Sequence, residues 1–270
     1  MTLQSDRAGQ ADQTGRADQT GRAGQTGQAE QHEPVTQQAP AGGVDRIAAL
    51  VRDADPGAGW AVGGADGPDA VVEAGDPDTA PDVGALAGVL AVWPVIGMLV
   101  DAGELALHTP LTAYGAGDGL PAGTTAHHLL THGSGVSPAL FALAERLCGG
   151  PLAGVAAARV WAPLGMTRTG FTADGTLRAP VADLGRFLSH LLAPAGGPVS
   201  RAWTAQSLRI RTGELLPARG LLWHPAAHGS WSHGEGPALW LSPGGRRWAV
   251  LLPTTPSAPL RTAFREAAFA

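Results

Sequence analysis

Between Val83 and Val100 the chain runs for eighteen residues without a charged side chain, bounded by Asp82 and Asp101. Such a run has to be shielded from water, either by a bilayer or by a protein core. Eighteen residues is the lower limit for a spanning helix. This run, however, contains Pro94 and three glycines, and no basic side chain anchors either end. The expectation is a buried central helix and no membrane span. A chain of 270 residues, 44% hydrophobic and 15% charged, has ample material to wrap a core around that helix. It suits one domain, or one domain with a subdomain.

The first forty-odd residues are of another kind. Ala11-Asp12-Gln13-Thr14-Gly15-Arg16 repeats at once as Ala17-Asp18-Gln19-Thr20-Gly21-Arg22, then decays through Ala23-Gly24-Gln25-Thr26-Gly27-Gln28. A period of six fits no solenoid unit, and almost no apolar side chain is present to offset the entropy of ordering. Residues 1–43 are therefore expected to form a disordered low-complexity tail, and residues 44–270 the folded domain. Deleting the tail should leave the melting temperature unchanged within error; a drop of several degrees would show that it packs. No basic start followed by an apolar run precedes Val44, so no secretory signal is expected. Cys148 is the only cysteine, which rules out an intramolecular disulfide. A cytoplasmic location follows as the expectation. The net charge of −5 argues against a nucleic-acid partner, which would need a basic face. No glycine pattern of the nucleotide-binding kind precedes a helix, and no cofactor is expected.

The rest reads as α plus β. Val44 to Val51 has helical spacing. Trp60-Ala61-Val62 and Ala70-Val71-Val72 flank a Gly/Asp/Pro cluster, the signature of a hairpin. Ser137 can cap a helix whose first residue is Pro138; Gly149-Gly150 ends it and Pro151 opens the next. Val181, Leu184, Phe187, Leu188, Leu191 and Leu192 share one helical face. Ala238–Leu241 and Trp248–Leu252 flank Ser242-Pro243-Gly244-Gly245 as a second hairpin, and a helix from Leu260 to Phe269 follows. Trp93, Trp161, Trp240 and Trp248 sit in apolar stretches and are expected in the core, whereas Trp223 and Trp231 could line a pocket.

Three segments carry a resemblance. His128-Leu129-Leu130-Thr131-His132-Gly133-Ser134-Gly135-Val136 looks like an HLLTHTSGL turn. Ala162-Pro163-Leu164-Gly165-Met166-Thr167-Arg168-Thr169-Gly170-Phe171 looks like EPLGMxxTGF. Leu99-Val100-Asp101-Ala102-Gly103-Glu104-Leu105, followed by Thr109-Pro110-Leu111, is similar to LVEEGKL…DPV. Together they resemble the serine β-lactamase and penicillin-binding-protein-like family, in its class C and esterase branch. The likeness runs from roughly Val44 to the C-terminus and is clear over 92–171. It implies an α+β, β-lactamase-like fold: an antiparallel sheet flanked by helices, with an inserted helical lobe. Trp60–Val62 and Val250–Leu252 should lie in neighbouring strands, with the Leu86–Leu99 helix buried behind them.

The family's chemistry has few residues here to run on. Its nucleophile is the serine of an S-x-x-K motif, activated by the lysine. The chain has arginine but no lysine, and no serine between Ser5 and Ser134. The spacing to Gly103 places the motif window at Ala85-Leu86-Ala87-Gly88-Val89. The Y-x-N motif is missing as well: the only tyrosine, Tyr114, precedes the turn and fits a structural aromatic position. The third motif, K-T-G or H-x-G, has its counterpart in Ser232-His233-Gly234-Glu235-Gly236, ahead of Pro237-Ala238-Leu239-Trp240-Leu241, which is similar to the family's GTSLWL. Glu235 brings negative charge toward a site the family builds for anions, so this segment reads as a remnant.

His128 and His132 are four apart, and His224, His228 and His233 cluster later. The first pair is accounted for by the family turn, so no metal site is expected. Ser134 beside His132 is expected to shape that turn and not to act as a nucleophile. The expectation is thus a protein with no catalytic residues, a degenerate family member that binds a small-molecule ligand or a protein partner. Its pocket candidates are His233, Glu235, Gly236, Trp231, Ala85 and Leu86. Two alternatives stand beside it: an enzyme with a replaced mechanism on a small organic substrate, and a modulating subunit of an active paralogue.

Overall fold

The computed structural model describes residues 41–76, 79–132, 137–194 and 196–270, all inside the unit Gln38–Ala270. The tail expectation for residues before 41 and the Ser134 turn fall outside the described residues.

Alternation of side chains builds a six-stranded antiparallel sheet in the order β2-β1-β8-β7-β6-β5. Its first hairpin joins β1 (Gly59–Gly64) to β2 (Gly67–Val72). A separate two-stranded ribbon pairs β3 (Gly170–Phe171) with β4 (Leu177–Arg178). The later strands are β5 (His224–Pro225), β6 (Trp231–His233), β7 (Ala238–Ser242) and β8 (Arg247–Leu252). Early and late segments of the described region meet where β1 pairs with β8, with Trp60 opposite Leu251 and Ala61 opposite Val250. The expected neighbour relation holds.

Both faces of this sheet are covered, so its central strands are buried throughout and alternate between two cores. Trp60, Val62, Trp240 and Leu251 pack toward α1 (Ala41–Ala54) and α8 (Ala258–Phe269). There Phe264 meets Trp60 and Trp240 at ring distances of 6.3 and 5.8 Å. Ala61, Leu239, Leu241, Trp248 and Val250 belong to the larger core on the other face. That core also takes in α2 (Trp93–Asp101), α3 (Ala126–His132), α4 (Pro138–Cys148), α5 (Leu152–Ala156), α6 (Val181–Leu192) and α7 (Arg201–Ser207). Ser137 stands at the amino cap of α4 as expected, but its side chain makes no capping bond. Gly149, at φ 71°, ends the helix and Pro151 precedes the next. Tyr114 packs against the core and its hydroxyl accepts the Ala106 N–H at 2.8 Å.

The uncharged run is buried, but it is not one regular helix. It opens with a tight turn at Gly84–Leu86, widens into a π turn at Gly88–Val92, and becomes α-helical only at Trp93. Pro94 supplies the reason. It stands four residues after Leu90, has no N–H to give the Leu90 carbonyl, and its ring crowds that oxygen. The indole Nε1 of Trp161 takes the vacant place, donating to Leu90 O at 2.9 Å. One turn on, Trp203 Nε1 donates to Trp93 O at 3.1 Å, and Trp93 Nε1 donates to the buried Ser207 Oγ at 2.9 Å. Trp161 thus supplies the one hydrogen bond that Pro94 withholds, and Trp203 and Trp93 tie the same run to α7.

Among the described residues no single helix is long and apolar enough to cross a membrane. The apolar pair Pro138–Cys148 and Leu152–Trp161 is bent by 69°.

Candidate functional site

The tight turn that starts the central run lies against the end of β6. His233 closes that strand and Gly234 follows at φ 88°, a backbone state that suits glycine. A Cβ on Gly234 would lie 2.0 Å from Pro237 O and 2.8 Å from Leu86 Cδ2. Leu86 is fully buried, and so is Val89. Where the resemblance calls for a serine and a lysine, the structure therefore has an aliphatic plug pressed onto the glycine of the strand. Gly84 and Ala85 are exposed at the mouth, and Asp82 Oδ1 accepts the Gly84 N–H at 2.7 Å.

His233 is held by backbone on two sides. Its Nδ1 lies 2.6 Å from Leu222 O, its other contact is the backbone of Ala85, and its ring meets Trp223 edge-on at 6.3 Å. Burial depresses its basicity, and the hydrogen bonds to the backbone of Leu222 and Ala85 offset that only in part. The side chain therefore ties the loop before β5 to the start of the central run. An imidazole committed to backbone in this way is poorly placed to take a proton from a substrate.

The remaining candidates do not converge. Ala85 and Gly236 line one cleft of about 660 Å³, shared with Asp82, Arg178 and Pro237. Arg178 is fixed on its wall, its Nη1 donating to Ala80 O at 3.0 Å. Glu235 is exposed. Trp231 lines a different cavity, and Trp223, expected to line a pocket, is completely buried in the core. The correction follows from strand geometry. Trp231 stands on β6 two residues before His233, whereas Trp223 precedes β5 and is drawn inward to pack on Trp93 at 6.0 Å.

The histidines on α3 serve the helix. Thr125 Oγ1 accepts the His128 N–H at 3.2 Å, and the Thr125 N–H points at His128 Nδ1 at 3.3 Å, a reciprocal cap. His108, His127, His128 and His132 form a row with ring separations of 4.6, 6.3 and 6.3 Å. Among the described residues no three His, Cys, Asp or Glu side chains converge as a metal site would require.

Burial holds the imidazoles of His127, His190, His224 and His233 below the ordinary histidine value of 6.5. Below that value the unfolded chain takes up protons that the folded chain refuses, so their contribution is intact above it and is lost as the pH falls through the depressed values. The melting temperature should stay level from about pH 8 to 7 and fall between about pH 6.5 and 5, before carboxylates titrate. Thermal melts across that range check it. A level profile down to pH 5 would contradict the burial of these rings.

Neither a family model nor a curated protein matches the sequence. Solved structures do. A β-lactamase from Mycobacterium bovis superimposes with a TM-score of 0.65 at 22% identity, over 82% of this chain and 96% of that one. D-alanine carboxypeptidase AmpC from Burkholderia cenocepacia gives 0.63 at 17% identity, over 84% and 97%. EstCE1, a hydrolase with promiscuous acyltransferase activity, gives 0.67 at 13% identity, over 84% and 98%. At these identities the likeness is one of architecture: this chain has the α+β fold of the serine β-lactamases and penicillin-binding proteins.

Proposed function

We propose that the protein is a non-hydrolytic binding protein on this fold, a pseudoenzyme whose ligand is a small organic molecule. The observation that carries the reading is the pairing of an open cleft beside Ala85 and Gly236 with a fully buried Leu86 in the motif window. Acyl transfer on a serine needs a hydroxyl, a base within hydrogen-bond reach and donors for the oxyanion. The window Ala85–Val89 offers none of the first two, and His233 spends its ring on backbone. Solved structures with the same architecture include a hydrolase and a D-alanine carboxypeptidase, so the fold itself is compatible with a small organic ligand.

Two measurements test the reading. Intact-mass analysis after prolonged incubation with a penicillin or a fluorophosphonate should find no adduct, and nitrocefin should not turn over above buffer. A stoichiometric mass increase mapped to Ser134 or Ser232 would make an enzyme with a replaced mechanism the better account. Second, small molecules that raise the melting temperature of the native chain should lose that effect in Ala85→Trp, which fills the mouth of the cleft from an exposed position. Hits that survive this substitution would place binding elsewhere.

A further inference from the structure

A second cavity, of about 370 Å³, lies away from Ala85 and Gly236. The carboxyl end of α6 gives one wall through Leu191 and Leu192. Leu208, just after α7, gives another, and Trp231 on β6 closes the sheet side. Trp231 is the one tryptophan of the chain that is not buried. The sole charged side chain on the cavity wall among the described residues is Arg201, which opens α7. Arg201 is exposed and makes no hydrogen bond or ion pair with any described residue.

These features specify a ligand chemistry. Aliphatic walls and a half-exposed indole offer contact to a flat apolar body, the usual make-up of a small-molecule site. A single free guanidinium at the rim offers paired donors to a carboxylate or another planar anion. Among the described residues no acidic side chain lines the cavity to oppose such an anion or to attract a cation. We propose that this cavity is a binding site for small aromatic monoanions, with the acid group on Arg201 and the ring system against Trp231. The site is independent of the cleft beside Ala85 and of the function proposed for it.

The test uses the full chain and naphthalene-2-carboxylate, with the neutral naphthalene-2-carboxamide as its isostere. In a proton–nitrogen correlation spectrum, the carboxylate should shift the indole cross-peak of Trp231, identified by its loss in Trp231→Phe, and leave those of Trp93 and Trp161 in place. Calorimetry should give one site, with the carboxamide weaker by roughly tenfold, the equivalent of 1.4 kcal/mol. Arg201→Gln should reduce the difference between the two probes to within about twofold. Ala205→Trp, an exposed position on the cavity wall, should abolish binding with no change in melting temperature. Ala85→Trp should leave binding as it was. Equal affinity for the two probes would refute the role of Arg201. Binding that persists in Ala205→Trp but fails in Ala85→Trp would assign the anion to the other cleft. Absence of any saturable shift would overturn the site altogether.

Discussion

Trp93→Ala should lower the free energy of unfolding by about 3–5 kcal/mol, the cost of deleting a large buried aromatic. Trp93 is fully buried where three groups meet it: Phe187 at 6.4 Å, Trp203 at 5.8 Å and Trp223 at 6.0 Å between ring centres. Its indole N–H is also the donor to Ser207 Oγ, and Ser207 is itself fully buried. Removing the ring therefore opens a cavity and deprives a buried hydroxyl of its partner. Trp93→Phe separates the two contributions. It keeps much of the volume but not the donor, so it should cost about 1–3 kcal/mol. Urea titration with a common slope gives both numbers. A loss below about 1 kcal/mol for Trp93→Ala would mean that the aromatic cluster around the central helix is not packed as described.

Gly97→Ala should destabilise by about 1–3 kcal/mol through overpacking, against the sign of helix propensity. In an exposed helix the same change gains about 1 kcal/mol. At Gly97 a Cβ would stand 2.4 Å from Cδ1 and 2.5 Å from Nε1 of Trp203. Trp203 cannot retreat, because it is 1% exposed and bonded to Trp93 O. Gly154→Ala in α5 is the control, since nothing lies within 4 Å of the added atom. It should be neutral or stabilising by up to about 1 kcal/mol. If both substitutions stabilise, the approach of Trp203 to the helix backbone is wrong.

Much of the architecture could be read from short-range pattern. The two hairpins announced themselves as apolar runs around glycine and proline turns. The absence of charge from Val83 to Val100 required burial whatever the topology. What escaped the sequence depends on contacts between distant residues. Pro94 is visible, but nothing near it in the chain says that Trp161 will satisfy Leu90 O. Gly97 looks like a weak point in a helix until Trp203 is placed on it. The candidate site was legible in part. The motif window and the strand of His233 do come together, through Ala85 and through the contact of Gly234 with Leu86. Trp231 was grouped with them by proximity in sequence, yet its cavity opens against α6 and α7, which sequence order alone could not bring to that strand.

On the non-hydrolytic reading proposed above, the plug formed by Leu86 and Gly234 bears on evolutionary reversibility. A serine in place of Leu86 would put an unpaired hydroxyl and a void into a fully buried position, costing about 2–5 kcal/mol for the lost side-chain volume alone. A lysine at Val89, fully buried within the apolar core, would have to place a charge in that interior. Each substitution taken alone lowers stability. On that reading, restoring a serine and a lysine to the window takes at least two substitutions at fully buried positions.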